Sequence, residues 1–350
     1  MLFITFYNNT ATTTASAMTD KTKAVPEGIP IVDLSSFAAT KNKLDQLDQQ
    51  QLLVAKDLHE ACANVGFFYI RGHGCSPELM DRTFDQVMAL FDSDQKENLN
   101  AKQSPLYRGY NSVETGSHSC TPTDDEENND GGSNESLPDL KESFTIGAEG
   151  DASPMHGPNQ FPKELPDFEP IMREYWHALL HVVAPRLMKA LAMSLDLDVN
   201  FFLNQCSDPV AQMVLLRYPP NTSSAQARKG CGAHTDCGFL TILAQDDAGL
   251  EVQHTDGTWM SAPPIPGTFV VNLGDMAARW SNDTYKSTLH RVRASSATTR
   301  HSIPFFSNCN FDAKVECITG DKAGKYPPVK AGEYILEKLG LMYLADSSST

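Results

Sequence analysis

The sequence contains no apolar run near the roughly 20 residues that cross a bilayer as a helix, so no helical membrane span is expected. It also has no dense run of lysine and arginine, and its formal net charge is −16. A nucleic-acid partner needs a basic stripe to neutralise phosphates, and an anionic membrane surface repels an acidic chain. Neither partner is expected. The eight cysteines, Cys62, Cys75, Cys120, Cys206, Cys231, Cys237, Cys309 and Cys317, include no Cys-x-x-Cys pair. Scattered through 350 residues, they read as reduced, mostly buried thiols of a cytoplasmic protein and not as a disulfide framework. The even count alone leaves a bridge open. Gly-x-Ser-x-Gly, the P-loop and Gly-x-Gly-x-x-Gly are all missing, and residues 320–325 have the wrong spacing for a phosphate loop. The first residues lack targeting signals as well. Residues 1–7 are apolar but short and without a basic flank, and residues 10–17 are small and hydroxylic without the arginines of a transit peptide. Residues 1–25 are expected to be a disordered tail, with Met18 an alternative start.

What is present is a globular composition, 41% hydrophobic and 21% charged, with ample apolar surface for a core. The organisation falls into segments. Residues 26–110 alternate strands and helices. Residues 29–34 and 67–71 read as strands, and apolar positions 44, 47, 52, 55, 58, 62 and 65 keep helical spacing. Ser76 caps a further helix with Pro77 at its first position. Residues 111–140 carry Asp124, Asp125, Glu126, Glu127, Asp130 and Glu135 and little that can be buried, so an acidic flexible loop is expected. Residues 141–209 are expected to give helical support, with one long helix over 167–198 kinked at Pro185. Over residues 210–345 short runs rich in Val, Ile, Leu, Thr and Phe recur between turn signals, the pattern of a β-sandwich or barrel. No internal repeat is visible.

Histidine is scarce, with ten in all, and two His-x-Asp tripeptides stand out. On a strand, positions i and i+2 share a face, so either could offer an imidazole and a carboxylate to one ion. His254-Thr255-Asp256 runs into Gly257, and Asp-Gly between two strands marks an exposed hairpin tip. His234-Thr235-Asp236 instead precedes a strongly apolar strand. His290, opening a later strand, supplies a third ligand. Two histidines and a carboxylate form a facial triad that leaves coordination positions open for a cosubstrate and dioxygen, as iron(II) oxygenases require. Cys231 and Cys237 flank the motif and keep a closed zinc site as the alternative. Arg300-His301-Ser302 puts a guanidinium and a hydroxyl on one face, a pair suited to a carboxylate; a surface arginine is the plain alternative. His177 and His181 lack the glutamate of a zinc-protease helix, and His73 reads as a turn or core-edge residue.

Taken together, His234-x-Asp236, His290 and Arg300-x-Ser302 resemble the iron(II)- and 2-oxoglutarate-dependent dioxygenases of the isopenicillin N synthase-like superfamily. Leu216-Arg217-Tyr218-Pro219-Pro220, Leu240-Thr241-Ile242-Leu243, Gly249-Leu250-Glu251-Val252, Asn272-Leu273-Gly274-Asp275 and Ser302-Ile303-Pro304-Phe305-Phe306 match its pattern in order. So do Ile29-Pro30-Ile31-Val32-Asp33-Leu34 and Gly66-Phe67-Phe68-Tyr69-Ile70 upstream. The resemblance implies a mainly β fold with α: a double-stranded β-helix (jelly-roll) core, supported by N-terminal and central helices. It implies Fe(II) on His234, Asp236 and His290, and 2-oxoglutarate as cosubstrate with O2. The far carboxylate of the oxo-acid would meet Arg300 and Ser302, with Tyr218 nearby. The family often has Asn two residues before that tyrosine. Here the position is Leu216, and Arg217 either compensates, or binds an acidic substrate, or makes an ordinary salt bridge. Asp236 argues against halogenation, because halogenases replace this carboxylate to admit chloride. The expected activity is oxidation of a small molecule, by hydroxylation or desaturation, in a monomer, with release of succinate and CO2. The alternatives are an iron-dependent oxidase or cyclase that does not use 2-oxoglutarate, and a non-catalytic relative that binds a small acid. Neither the substrate nor the choice among hydroxylation, desaturation, cyclisation and ethylene formation is encoded in these motifs.

Overall fold

The computed structural model describes residues 28–38, 44–104, 106–113, 139–221, 230–295, 297–319 and 324–347. The expected tail over 1–25 and most of the acidic stretch 111–140 lie outside the described residues. In chain order the elements are β1 (Ile31–Asp33), α1 (Leu44–Asn64), β2 (Phe67–Arg71), α2 (Pro77–Asp92), β3 (Gly109–Asn111), β4 (Glu142–Gly147), α3 (Phe168–Ala178), α4 (Ala184–Ser194), α5 (Phe201–Gln205) and β5 (Pro209–Tyr218). They continue with β6 (Cys231–His234), β7 (Leu240–Gln245), β8 (Leu250–Gln253), β9 (Trp259–Ser261), β10 (Phe269–Leu273), α6 (Asp275–Trp280), β11 (His290–Val292), β12 (Arg300–Asn310), β13 (Lys314–Val315), β14 (Val329–Lys330) and α7 (Ala331–Ser347).

An eight-stranded sheet, β1-β2-β10-β7-β12-β5-β4-β3, lies against a four-stranded sheet, β6-β11-β8-β9. Strand alternation decides what each face of the large sheet buries. Phe68, Ile70, Phe144, Ile146, Met213, Leu215, Ile242 and Phe305 point toward the helices and join one apolar cluster with Leu58, Val87, Leu90, Leu179 and Leu187. Phe67, Tyr69, Tyr218, Leu243 and Val270 point the other way, into a smaller cluster with Cys231, Leu250, Val252 and Val292 of the small sheet. A sheet buried on both faces needs apolar residues at consecutive positions, which is why Phe67 to Ile70 carry no polar break. The two facing sheets and the helical layer realise the jelly-roll architecture with helical support.

Three local points refine the sequence reading. The Ser76 hydroxyl accepts the Leu79 amide at 3.2 Å, with Pro77 opening α2, as the capping argument requires. Over 167–198 the chain passes from α3 through a π-helical turn, Leu179–Val183, into α4, whose first turn holds Pro185. A proline has no amide to return to the preceding turn, and the widened turn absorbs the missing bond. Finally, the stretch 141–209 is not all helical support. It opens with β4, which pairs along β5 from Glu142↔Arg217 to Gly147↔Gln212. Among the described residues, no helix is long and apolar enough to cross a membrane.

Candidate metal centre

The small sheet brings the two distant histidines together directly. β6 and β11 are antiparallel neighbours, and His290 lies opposite His234 in their register. Asp236 follows β6 by two residues and turns back toward both. His234 Nε2 is 3.9 Å and His290 Nε2 is 3.8 Å from Asp236 Oδ1. The potential ligand atoms of all three lie within 4.8 Å of one another, the one such group among the described residues. Each imidazole is oriented from behind. His234 Nδ1 is 2.9 Å from the Gly232 carbonyl and His290 Nδ1 is 3.1 Å from that of Thr288. In the neutral ring, an Nδ1–H donated to a carbonyl leaves the Nε2 lone pair facing the cluster. The carboxylate is held in the same way: its Oδ2 accepts Thr241 Oγ1 at 2.5 Å and Asn272 Nδ2 at 2.6 Å. Oδ1 is thereby turned toward the histidines.

Electrostatics treats the two imidazoles differently: burial opposes the charged form of His234, but Cys231, Asp236 and the Gly232 carbonyl outweigh it and raise the ring to about 9. Burial opposes ionisation of Asp236, but His290, His234 and the two hydrogen bonds outweigh it and hold the carboxyl below its usual range. Burial, reinforced by the neighbouring His234, pushes His290 down to about 4, so its imidazole is neutral near neutrality. An ionised carboxylate, a neutral imidazole at His290 and a second imidazole at His234 that gives up its proton on ligation are a donor set that could hold a non-haem iron(II).

On the facing large sheet, Arg300 lies opposite Tyr218 and Ser302 opposite Leu216 in the β12–β5 register. Arg300 is only 2% exposed. It donates to Ser302 Oγ at 3.2 Å, Gln245 Oε1 at 2.8 Å and the Asp247 carbonyl at 3.1 Å, and its guanidinium sits 5.0 Å from the centre of the Tyr218 ring. All of these partners are neutral. A buried cation with no ion pair among the described residues costs several kcal/mol, so the chemistry of this pocket fits an incoming carboxylate.

The pattern is matched by two family models. Residues 209–308 match the 2OG-Fe(II) oxygenase superfamily, and residues 29–164 match the non-haem dioxygenase in morphine synthesis N-terminal family. The chain belongs to the 2OG-Fe(II) oxygenase superfamily. A homoarginine-6-hydroxylase of Oryza sativa subsp. japonica is 36% identical over 89% of this chain and 97% of its own length. A 2-oxoglutarate-Fe(II) type oxidoreductase of Aspergillus fumigatus is 34% identical over 89% of this chain and 92% of its own. Among solved structures, a full-length Neurospora crassa protein in complex with alpha-KG superposes with a TM-score of 0.76 at 31% identity, covering 91% of this chain and 98% of that one. The same Neurospora protein with alpha-KG and thymine gives 0.76 at 30%, with coverage of 91% and 99%. The protein is therefore a non-haem iron dioxygenase of double-stranded β-helix fold that uses Fe(II), 2-oxoglutarate and O2. The oxidase or cyclase and the non-catalytic alternatives give way to this reading.

Other residues singled out from the sequence fall elsewhere in this oxygenase. Arg217 is a correction. It lies opposite His301 and Glu142, and alternation turns it to the helix side of the sheet, away from Arg300, Ser302 and Tyr218. There it donates to Glu142 at 2.5 Å and Asp92 at 2.8 Å, over the Phe91 ring. It is the salt-bridge residue and does not compensate for Leu216. The zinc alternative also fails on geometry: neither Cys231 nor Cys237 joins the ligand group. Cys231 Sγ instead sits 3.9 Å from His234 Nδ1, on the side of the ring turned away from the cluster. His254 and Asp256 occupy the exposed tip between β8 and β9, 3.1 Å apart. His177 and His181 touch ring to ring on the helical layer, their centroids 4.7 Å apart, and His73 is buried against Phe269, its Nε2 3.1 Å from the Gly267 carbonyl. Sequence reasoning missed Thr241 and Asn272, whose polar side chains in the apolar strands β7 and β10 were the available signal. It also missed Lys141, because β4 was read as part of the helical support.

Proposed function

We propose that His234, Asp236 and His290 hold the iron, and that Arg300 and Ser302, with Tyr218, hold the far carboxylate of 2-oxoglutarate. The observation that carries this reading is the juxtaposition of a buried two-histidine, one-carboxylate cluster with a buried arginine that has only neutral partners, on facing sheets of one roll. Bound together, the iron and cosubstrate supply the oxidising power that couples O2 consumption to succinate and CO2 release. The chain's share is positional. Thr241 and Asn272 fix the carboxylate, the Gly232 and Thr288 carbonyls fix the imidazoles, and the apolar walls Phe67, Leu243 and Val252 keep water from the reacting groups.

The substrate is a small molecule, and hydroxylation is the favoured outcome. The rice relative is named for hydroxylating homoarginine and the Neurospora neighbour binds thymine, which favours a small, polar, nitrogen-bearing substrate. Asn111 and Ser143, with Nδ2 3.4 Å from Oγ, offer polar groups beside Leu216, in the row that also holds Ser302. The net charge of −16 disfavours nucleic acid as substrate, and the reading is of a monomer working in the cytoplasm. A panel of small amino acids, guanidino compounds and nucleobases, with oxygen uptake and succinate measured with and without 2-oxoglutarate, tests it. Succinate formation tied to one of these classes is expected. An Asp236→Ala enzyme that still turns over would end the site assignment. In parallel, apo-protein titrated anaerobically with iron(II) and 2-oxoglutarate should develop a weak visible charge-transfer band.

A further inference from the structure

Lys141 and Cys231 are far apart in sequence and meet beside the site on the Nδ1 side of His234. Glu142 lies opposite Arg217, so Lys141, one residue earlier, falls level with Tyr218. Its Nζ lies 3.1 Å from Cys231 Sγ and 2.9 Å from Asp139 Oδ2. Asp139 Oδ1 in turn accepts the Gly232 amide at 3.1 Å. The ammonium is 12% exposed at its side chain and Cys231 is 6% exposed. The pair has no place among the metal ligands.

We propose that Lys141 and Cys231 form an oxidative crosslink, a covalent nitrogen–oxygen–sulfur bridge between Nζ and Sγ, with dioxygen as the oxidant. Three observations support it. The gap is only slightly longer than a single bridging oxygen spans. Asp139 ties Lys141 to the Gly232 amide beside Cys231, so the reaction is intramolecular and preorganised. Cys231 is a free thiol, and burial beside an amine favours capture by that amine over further climbing of the thiol oxidation ladder. Dioxygen is a substrate of this enzyme and reaches the neighbouring cluster. In the balanced step the ammonium passes one proton to Asp139. One remaining N–H and the thiol S–H break, and N–O and O–S bonds form. Sulfur and nitrogen each give up two electrons, and dioxygen accepts all four. One of its oxygens stays in the bridge, and the other leaves as water with the two hydrogens. The bridge turns a hydrogen-bonded contact between the start of β4 and β6 into a covalent tie, three residues before His234.

The test is peptide mapping of the full-length protein, purified in air and compared with protein kept anaerobic with dithiothreitol. A joined pair of peptides containing residues 141 and 231 is expected, with the mass of their sum plus one oxygen less two hydrogens, and dithiothreitol should release it. Cys231→Ser and Lys141→Arg should each abolish it; the near-isosteric serine guards against loss of folding in the lysine variant. Three results would overturn the proposal: Cys231 recovered as sulfenic or sulfinic acid with Lys141 free, a joined pair lacking the oxygen, or both residues unmodified after prolonged exposure to air.

Discussion

The two faces of the large sheet are made by the same strands but set their arginines in different surroundings. On the helix side, Arg217 is matched by Glu142 and Asp92, and Glu142 also accepts Tyr110 Oη at 2.6 Å and lies 3.4 Å from Lys96. Each charge there has an opposite charge in contact. On the inner side, Arg300 has hydroxyl, amide and carbonyl partners, and Asp236 shares its Oδ1 with two imidazoles. The difference separates structure from function within one pair of strands. The outer network completes itself within the chain, as the inner Lys141–Asp139 pair does, whereas Arg300 and Asp236 are arranged for something that arrives from outside. Two arginines one strand position apart in their registers, Arg217 opposite His301 and Arg300 opposite Tyr218, differ in role because the pleat turns them to opposite faces.

Substitutions on the two faces should therefore separate cleanly. The largest effect is expected at the cluster: Asp236→Ala or His290→Ala should abolish both the anaerobic iron(II)-dependent visible band and succinate release. Next, Arg300→Ala should raise the 2-oxoglutarate KM by roughly ten- to a hundredfold, since charged hydrogen bonds contribute about 1.5–3 kcal/mol, while iron affinity changes little. Steady-state kinetics at varied cosubstrate would show it. Asn272→Ala removes an outer partner of the carboxylate and should weaken iron binding about tenfold or more, read by the same anaerobic titration.

On the helix side, Arg217→Ala should lower stability by about 1–3 kcal/mol, because it leaves the buried Glu142 with one cation fewer. Denaturant unfolding measures this. The 2-oxoglutarate KM should stay unchanged, and a rise comparable to that of Arg300→Ala would dissolve the contrast between the faces. The smallest effect belongs to His254→Ala at the exposed hairpin tip, within about 0.5 kcal/mol and with unchanged turnover.

The sequence reading reached the cluster for particular reasons. His234-x-Asp236 and His290 sit next to strands whose apolar content marks them as core, whereas His254-x-Asp256 runs into a glycine turn. The alternation in Arg300-His301-Ser302 correctly separates His301, which pairs with Asp246 at 2.8 Å on the other face. The same alternation, applied to Leu216-Arg217-Tyr218, would have excluded Arg217 from the pocket, since only one of Arg217 and Tyr218 can face it. β4 was hidden for another reason. Lys141-Glu142-Ser143-Phe144 is short, follows the acidic stretch, and carries two charges, of which Glu142 finds its partners Arg217 and Lys96 only in the folded chain.

Residue types and their periodicity were enough to indicate a mainly β core, a capped second helix, a candidate donor set for a metal and an arginine suited to a carboxylate. These follow from local chemistry, in which a side chain's class and its place in a repeating backbone are properties of the chain alone. Only the folded chain decided that His234 and His290 are cross-strand neighbours, that Thr241 and Asn272 hold Asp236, and that Lys141 meets Cys231. Those are contacts between segments remote in sequence. They depend on strand order and register, which the packing of the two sheets fixes and no single segment carries.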